Sequence, residues 1–250
     1  MLKIKFLPIV LGAVIAACGL ASRPAEAIPW VASSGTGDNA LSGQADFTIS
    51  AGQIVVKVTN LLDPTTIRSV GQSVSDVIFT ISNAPGTNGT NTAAGSLVNI
   101  SGSDGSVTSV SGTPNHWINP SPGGFNISGN TITLEAIGNN GGGHDNNNQL
   151  VFPTDSGGKY ANVNNGIDSH NPYVDGPATF TLPLSLVTTS TMITSVNISF
   201  GTGPDTTLMA HPVPAPLIGH GLLVLAAVGG VLFGGKLFES LKKHHHLGAA

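Results

Sequence analysis

Ser156-Gly157-Gly158-Lys159 places a serine and a lysine three residues apart. That spacing lets a lysine amine activate a serine hydroxyl when the pair opens a helix. Two consecutive glycines weigh against such a helix, and no partner motif accompanies the pair. Gly141-Gly142-Gly143-His144-Asp145-Asn146-Asn147-Asn148 offers oxygens and an imidazole to a cation, with Asp145 its carboxylate. Gln149 and Leu150 occupy the third-ligand and glycine places of a calcium loop, so the run reads more simply as a surface loop. His170 stands between Asp168 and Asp175, and His116 beside Trp117. With Tyr160 and Tyr173, these residues outline a metal or sugar site in which aromatic rings would stack on sugar faces. An ordinary turn histidine is the plainer reading of each. No G-x-S-x-G elbow is present, so a Ser/His/Asp triad has no support. Asp145, Asp168 and Asp175 are the weak metal candidates. The residues point to no catalytic centre and no cofactor.

The elements that would carry these side chains read as β-strands. Ala45 to Ser50 and Gln53 to Asn60 are rich in β-branched residues and are joined by Ala51-Gly52, a tight connection. Val74 to Ser82 alternates, with Asp76 breaking the apolar pattern. Further strands are expected at Ser96 to Ile100, Ser106 to Val110, Phe125 to Ser128, Thr131 to Ile137, Gln149 to Pro153, Ala178 to Ser185 and Thr191 to Phe200. No segment between Ile28 and Pro212 has helical period with caps. Short strands punctuated by Gly, Asn, Pro and Ser predict an all-β domain, an antiparallel β-sandwich or jelly roll. Phe47-Thr48-Ile49-Ser50 and Phe79-Thr80-Ile81-Ser82 look like repeats, but their flanks differ and shared strand composition accounts for them.

Both ends of the chain read as targeting segments. Met1-Leu2-Lys3-Ile4-Lys5, the apolar Phe6 to Ala17 and Ala25-Glu26-Ala27 form a secretory signal peptide over residues 1–27, cleaved after Ala27. A second reading takes Ile15-Ala16-Ala17-Cys18 as a lipobox, leaving Cys18 as a lipidated terminus. Under either reading the exported domain has no cysteine and rests on packing alone. At the other end, Val213-Pro214-Ala215-Pro216 precedes an apolar run, Leu217 to Phe238, and a basic tail over 239–250. As a helix that run would measure about 33 Å at ~1.5 Å per residue, enough for a hydrocarbon core of ~30 Å. Lys236, Lys242 and Lys243 then place the C-terminus in the cytoplasm by the positive-inside bias.

The exported domain, residues 28–212, carries eleven carboxylates against Lys57, Arg68 and Lys159, a formal charge of −8. That balance excludes nucleic acid as a partner, which would need a basic face. At this point the chain resembles the PEP-CTERM sorted proteins of Gram-negative bacteria, in which a Pro-Glu-Pro motif precedes a membrane helix and a basic end. Ala45 to Asn60, and His170-Asn171-Pro172-Tyr173 through Phe200-Gly201-Thr202-Gly203-Pro204, also resemble proteins carrying such tails. The resemblance implies export, recognition by an exosortase-like sorting protease at Val213 to Pro216, and delivery to the envelope or extracellular matrix. Ala215 stands where the motif has glutamate, so a variant sorting enzyme and plain retention as an anchor are both open. The expected role is a structural or adhesive surface component in contact with membrane and exopolysaccharide, without catalysis. A carbohydrate-binding module is the alternative, and a secreted hydrolase a weaker one.

Overall fold

The computed structural model describes residues 27–119, 124–137, 149–202 and 206–214. Signal-peptide residue Ala25, Cys18, Asp145, Ala215, Pro216, the expected membrane span at 217–238 and the basic residues Lys236, Lys242 and Lys243 lie outside them. The chain divides into two compact units, Met1–Val213 and Pro214–Ala250, and only Pro214 of the second is described. Among the described residues no helix is long and apolar enough to cross a membrane.

The first unit is built on one large sheet. In chain order its strands are β1 (Ile28–Ser34), β2 (Leu41–Ser50), β3 (Gln53–Asn60), β4 (Val74–Ile81), β5 (Thr92–Ile100), β6 (Val107–Val110), β7 (Gly124–Ser128), β8 (Thr131–Glu135), β9 (Val151–Phe152), β10 (Tyr173–Pro183), β11 (Ile193–Phe200), β12 (Thr206–Met209) and β13 (His211–Pro212). The main path runs β12-β11-β4-β9-β10-β3-β2-β1-β13, with β8 and β7 branching from β4 and β5 and β6 from β10. Among the described residues helix is confined to four short 3₁₀ segments at Gly37–Asn39, Val70–Gln72, Asn115–Trp117 and Asn165–His170.

The expectation of a purely antiparallel arrangement is corrected at one place. Short β9 runs parallel to β10, with Val151 opposite Val174, and antiparallel to β4 at Val74. The sheet is therefore mixed. β9 links the β4 and β10 portions, and buried Asn60 secures the junction by donating to Gln72 O at 2.8 Å and to Val151 O at 3.2 Å. A buried amide serving two carbonyls from separate segments satisfies backbone that would otherwise be left without partners.

The core follows from alternation. Ala45 and Phe47 of β2, Ile54, Val56 and Val58 of β3, and Val77, Phe79 and Ile81 of β4 all turn inward and are buried. The Phe47 and Phe79 rings lie 4.9 Å apart, so the two look-alike segments meet across the core. A second aromatic group joins Phe152 to Tyr173 at 4.4 Å and to Tyr160 at 5.5 Å. Each fully buried ring of this kind stabilises the fold by about 1.5–3 kcal/mol, which a domain without disulfides needs.

Candidate functional site

The segment between β6 and β7 and the edges of β5 and β10 shape the clearest site. Asn115–Trp117 forms a single 3₁₀ turn. Its Trp117 is fully buried, stacks on Phe180 at 5.2 Å and donates its indole N–H to Gln149 O at 2.8 Å. Gln149 answers with its side chain, whose Oε1 accepts the His116 backbone N–H at 3.0 Å, and its own N–H donates to Pro172 O at 3.1 Å. Gln149 has φ of 51°, the one non-glycine residue with positive φ among the described residues. Left-handed backbone in a residue with a Cβ costs about 1–2 kcal/mol and persists where the surroundings hold it. Here three hydrogen bonds do so.

This clamp floors an open groove of about 690 Å³ lined by Leu97, Asn99, Val110, Ser111, Gly112, Thr113, Asn115, His116, Asn119, Gln149, Asn171 and Pro172. The size falls in the range of small-ligand clefts, ~300–1,000 Å³. Among the described residues, five carboxamides and two hydroxyls supply its polarity, and His116 is the one ionisable side chain in its lining. Asn171 is spent on the frame, because its amide pairs with Ile100 N at 2.7 Å and with Ile100 O at 2.9 Å, as a neighbouring strand would. Opposed Leu97 and Val110, with Pro172, give the groove an apolar wall.

The predicted aromatic platform is overturned. Trp117, Tyr160 and Tyr173 are all fully buried, so none offers a face to a sugar. Tyr160 OH donates to Pro153 O at 2.7 Å and to Asp175 Oδ1 at 3.1 Å, and Tyr173 OH donates to Ile167 O at 2.9 Å. Burial first, and then the negative charges nearby, raise both phenols well above the usual tyrosine range. The acidic candidates serve the backbone: Asp168 Oδ1 accepts Gly102 N–H at 2.8 Å, and Asp175 Oδ1 accepts Asp155 N–H at 2.8 Å. Among the described residues no three His, Cys, Asp or Glu side chains gather to hold a metal. Gly157 and Gly158 both have positive φ, 72° and 81°, so Ser156 sits in a bend and Lys159 in an isolated bridge to Ser106, not on the helix that lysine-assisted serine chemistry requires.

One constellation escaped the sequence reading. Asp76 of β4 lies directly opposite Glu135 of β8 and, on its other side, opposite Ser199 of β11. Asp76 is only 3% exposed, and its Oδ1 has no hydrogen-bond partner. Desolvation, followed by repulsion from Glu135, pushes its carboxyl up to about 8 against the opposing pull of the Ser199 hydroxyl. Desolvation raises Glu135 as well. Asp76 is thus largely protonated at neutral pH, an acid too deeply buried to meet a substrate. The only advance signal was its break in the apolar pattern of β4.

No protein-family model matches this chain, and no characterised protein or solved structure matches it. The chemistry of the groove therefore carries the functional reading.

Proposed function

We propose that this chain is an exported, PEP-CTERM-type surface protein, anchored in or sorted at the envelope of a Gram-negative bacterium, whose β domain contacts extracellular polysaccharide without catalysing a reaction. The observation that carries the polysaccharide contact is the amide-lined groove beside Gln149, open to solvent and without a carboxylate among the described residues that line it. Carboxamides and hydroxyls match the donors and acceptors of a neutral sugar, while a domain of formal charge −8 discourages nucleic acid and other polyanions. The same groove suits a structural adhesin and a dedicated carbohydrate-binding module, which differ in affinity more than in geometry. Within this reading the fold is a largely antiparallel β-sandwich in which the β2–β3 and β4–β11 portions form facing layers, supported by the Phe47–Phe79 contact. The tail reading rests on Val213 to Pro216, the apolar run after it and the terminal lysines.

A glycan array followed by calorimetry on the full chain in mild detergent tests the contact. Binding that weakens about tenfold when Asn99 and Asn119 are both changed to Ala is the expected result, given about 0.5–1.5 kcal/mol per hydrogen bond. Silence across the array, or turnover of ester, peptide or glycoside substrates, would overturn the reading.

A further inference from the structure

Which sugar the groove accepts follows from how its amides are already used, an inference that rests on the polysaccharide reading above. A carboxamide has an acceptor end and a donor end, and tying up one leaves the other to face a ligand. Gln149 Oε1 is held by the His116 backbone N–H, and Asn115 Oδ1 accepts the Thr113 hydroxyl at 2.8 Å. The amino groups of Gln149 and Asn115 meet no acceptor among the described residues. Asn171 has both ends engaged by Ile100. Gln149 and Asn115 are therefore biased toward donating hydrogen bonds. Pro172, whose carbonyl is bonded to Gln149 N–H, brings the apolar wall of Leu97 and Val110 close to those donors. Among the described residues no Lys or Arg lines the groove.

We infer that the groove selects sugars bearing an acetamido group, whose carbonyl takes the Gln149 and Asn115 amino donors while its methyl lies on the Leu97, Val110 and Pro172 wall. A plain glucan hydroxyl can accept from the same donors but brings no methyl to the wall. A uronate carboxylate would meet donors without a compensating cation, inside a domain that is already strongly negative. Gly112 borders the site. A Cβ there would come within 3.3 Å of Leu97 Cδ1, so glycine keeps the apolar wall open.

The test titrates the full chain in detergent with N-acetylglucosamine tetramer, cellotetraose and tetragalacturonate at fixed ionic strength. The acetylated tetramer should bind at least tenfold tighter than either competitor. Cellotetraose or tetragalacturonate binding equally well or better would overturn the acetamido assignment and leave the polysaccharide reading standing, whereas no binding of any of the three would remove both. Asn115→Asp keeps the oxygen that Thr113 needs and deletes the amino donor at an exposed position, so the fold should survive. It should cost about tenfold toward the acetylated tetramer, and cellotetraose, which accepts from the same donor, should weaken as well and remain the poorer ligand. Unchanged affinity for the acetylated tetramer in that variant would refute the donor role.

Discussion

At the scale of single residues, Asp76 makes the sharpest prediction. Its folded-state carboxyl titrates near 8 against an ordinary value of 3.8, so the folded chain holds a proton that the unfolded chain releases. The contribution to stability is full below about pH 3.8, declines as pH rises, and is gone above about 8. Glu135, also raised, adds in the same direction. Urea midpoints measured from pH 5 to pH 9 should fall for the native chain by an amount corresponding to a few kcal/mol. Asp76→Asn, which mimics the protonated form, should flatten that slope and be the more stable chain at pH 9. A native profile that rises with pH across this window would contradict the assignment. Asp63 and Asp104 titrate below the usual carboxylate range because turn residues Thr65 and Ser106 donate to them, so their effects fall on the acid side of the window. The Asp76 and Glu135 pair was invisible in sequence because 59 positions separate its members. Only strand register makes them neighbours.

At the scale of elements, β10 shows why boundaries were harder to read than strands. Ala178 to Ser185 was expected from its β-branched and apolar residues, yet the strand begins at Tyr173 and runs through Gly176-Pro177. A proline inside a sheet normally argues against a strand, since it cannot donate to the ladder. The sheet accommodates it at a register shift between Asp175 and Thr179, where pairing with β5 is interrupted. Gly176 permits the shift with φ of 80°, and a Cβ there would lie 2.6 Å from Thr154 Oγ1. Gly176→Ala should therefore destabilise the domain by about 2–3 kcal/mol, combining left-handed strain with the contact. Gly105→Ala should cost more. Its Cβ would fall 1.9 Å from the Tyr160 carbonyl oxygen, which is backbone held by the Tyr160 N–H to Gly105 O bond at 2.9 Å. Thermal melts of both variants check the order, and a Gly105→Ala chain as stable as the native one would show that the Tyr160 turn can move aside. By contrast, the turn and the second strand of the β2–β3 hairpin were readable, although β2 begins at Leu41, four residues before the expected Ala45. Ala51-Gly52 turns the chain, Ser50 pairs with Gln53, and Asp46 faces Lys57 across the strands.

At the scale of the whole molecule, the proposed route of the chain can be tested at its termini. Mass spectrometry of the mature protein should find Ile28 as its first residue if cleavage follows Ala27, and a lipid-modified Cys18 would instead establish the lipoprotein route. At the other end, loss of everything beyond the Val213 to Pro216 motif is the outcome expected of sorting. A chain still ending in Ala250 would leave a plain single-span anchor. Changing Ala215 to glutamate, which completes the Pro-Glu-Pro pattern, should raise the processed fraction if an exosortase reads the motif.

The chain's own order determined that the domain over residues 28–212 is β-rich and has no cysteine to form a disulfide, because alternation, turn residues and composition are local properties. Tertiary structure decided everything that depends on residues far apart in sequence. It buried Trp117, Tyr160 and Tyr173 in the core, spent Asp168 and Asp175 on loop backbone, inserted β9 in parallel beside β10, and set Asp76 against Glu135. A side chain's type states which bonds it can make, but whether any remain for a ligand depends on which partners the fold has already supplied.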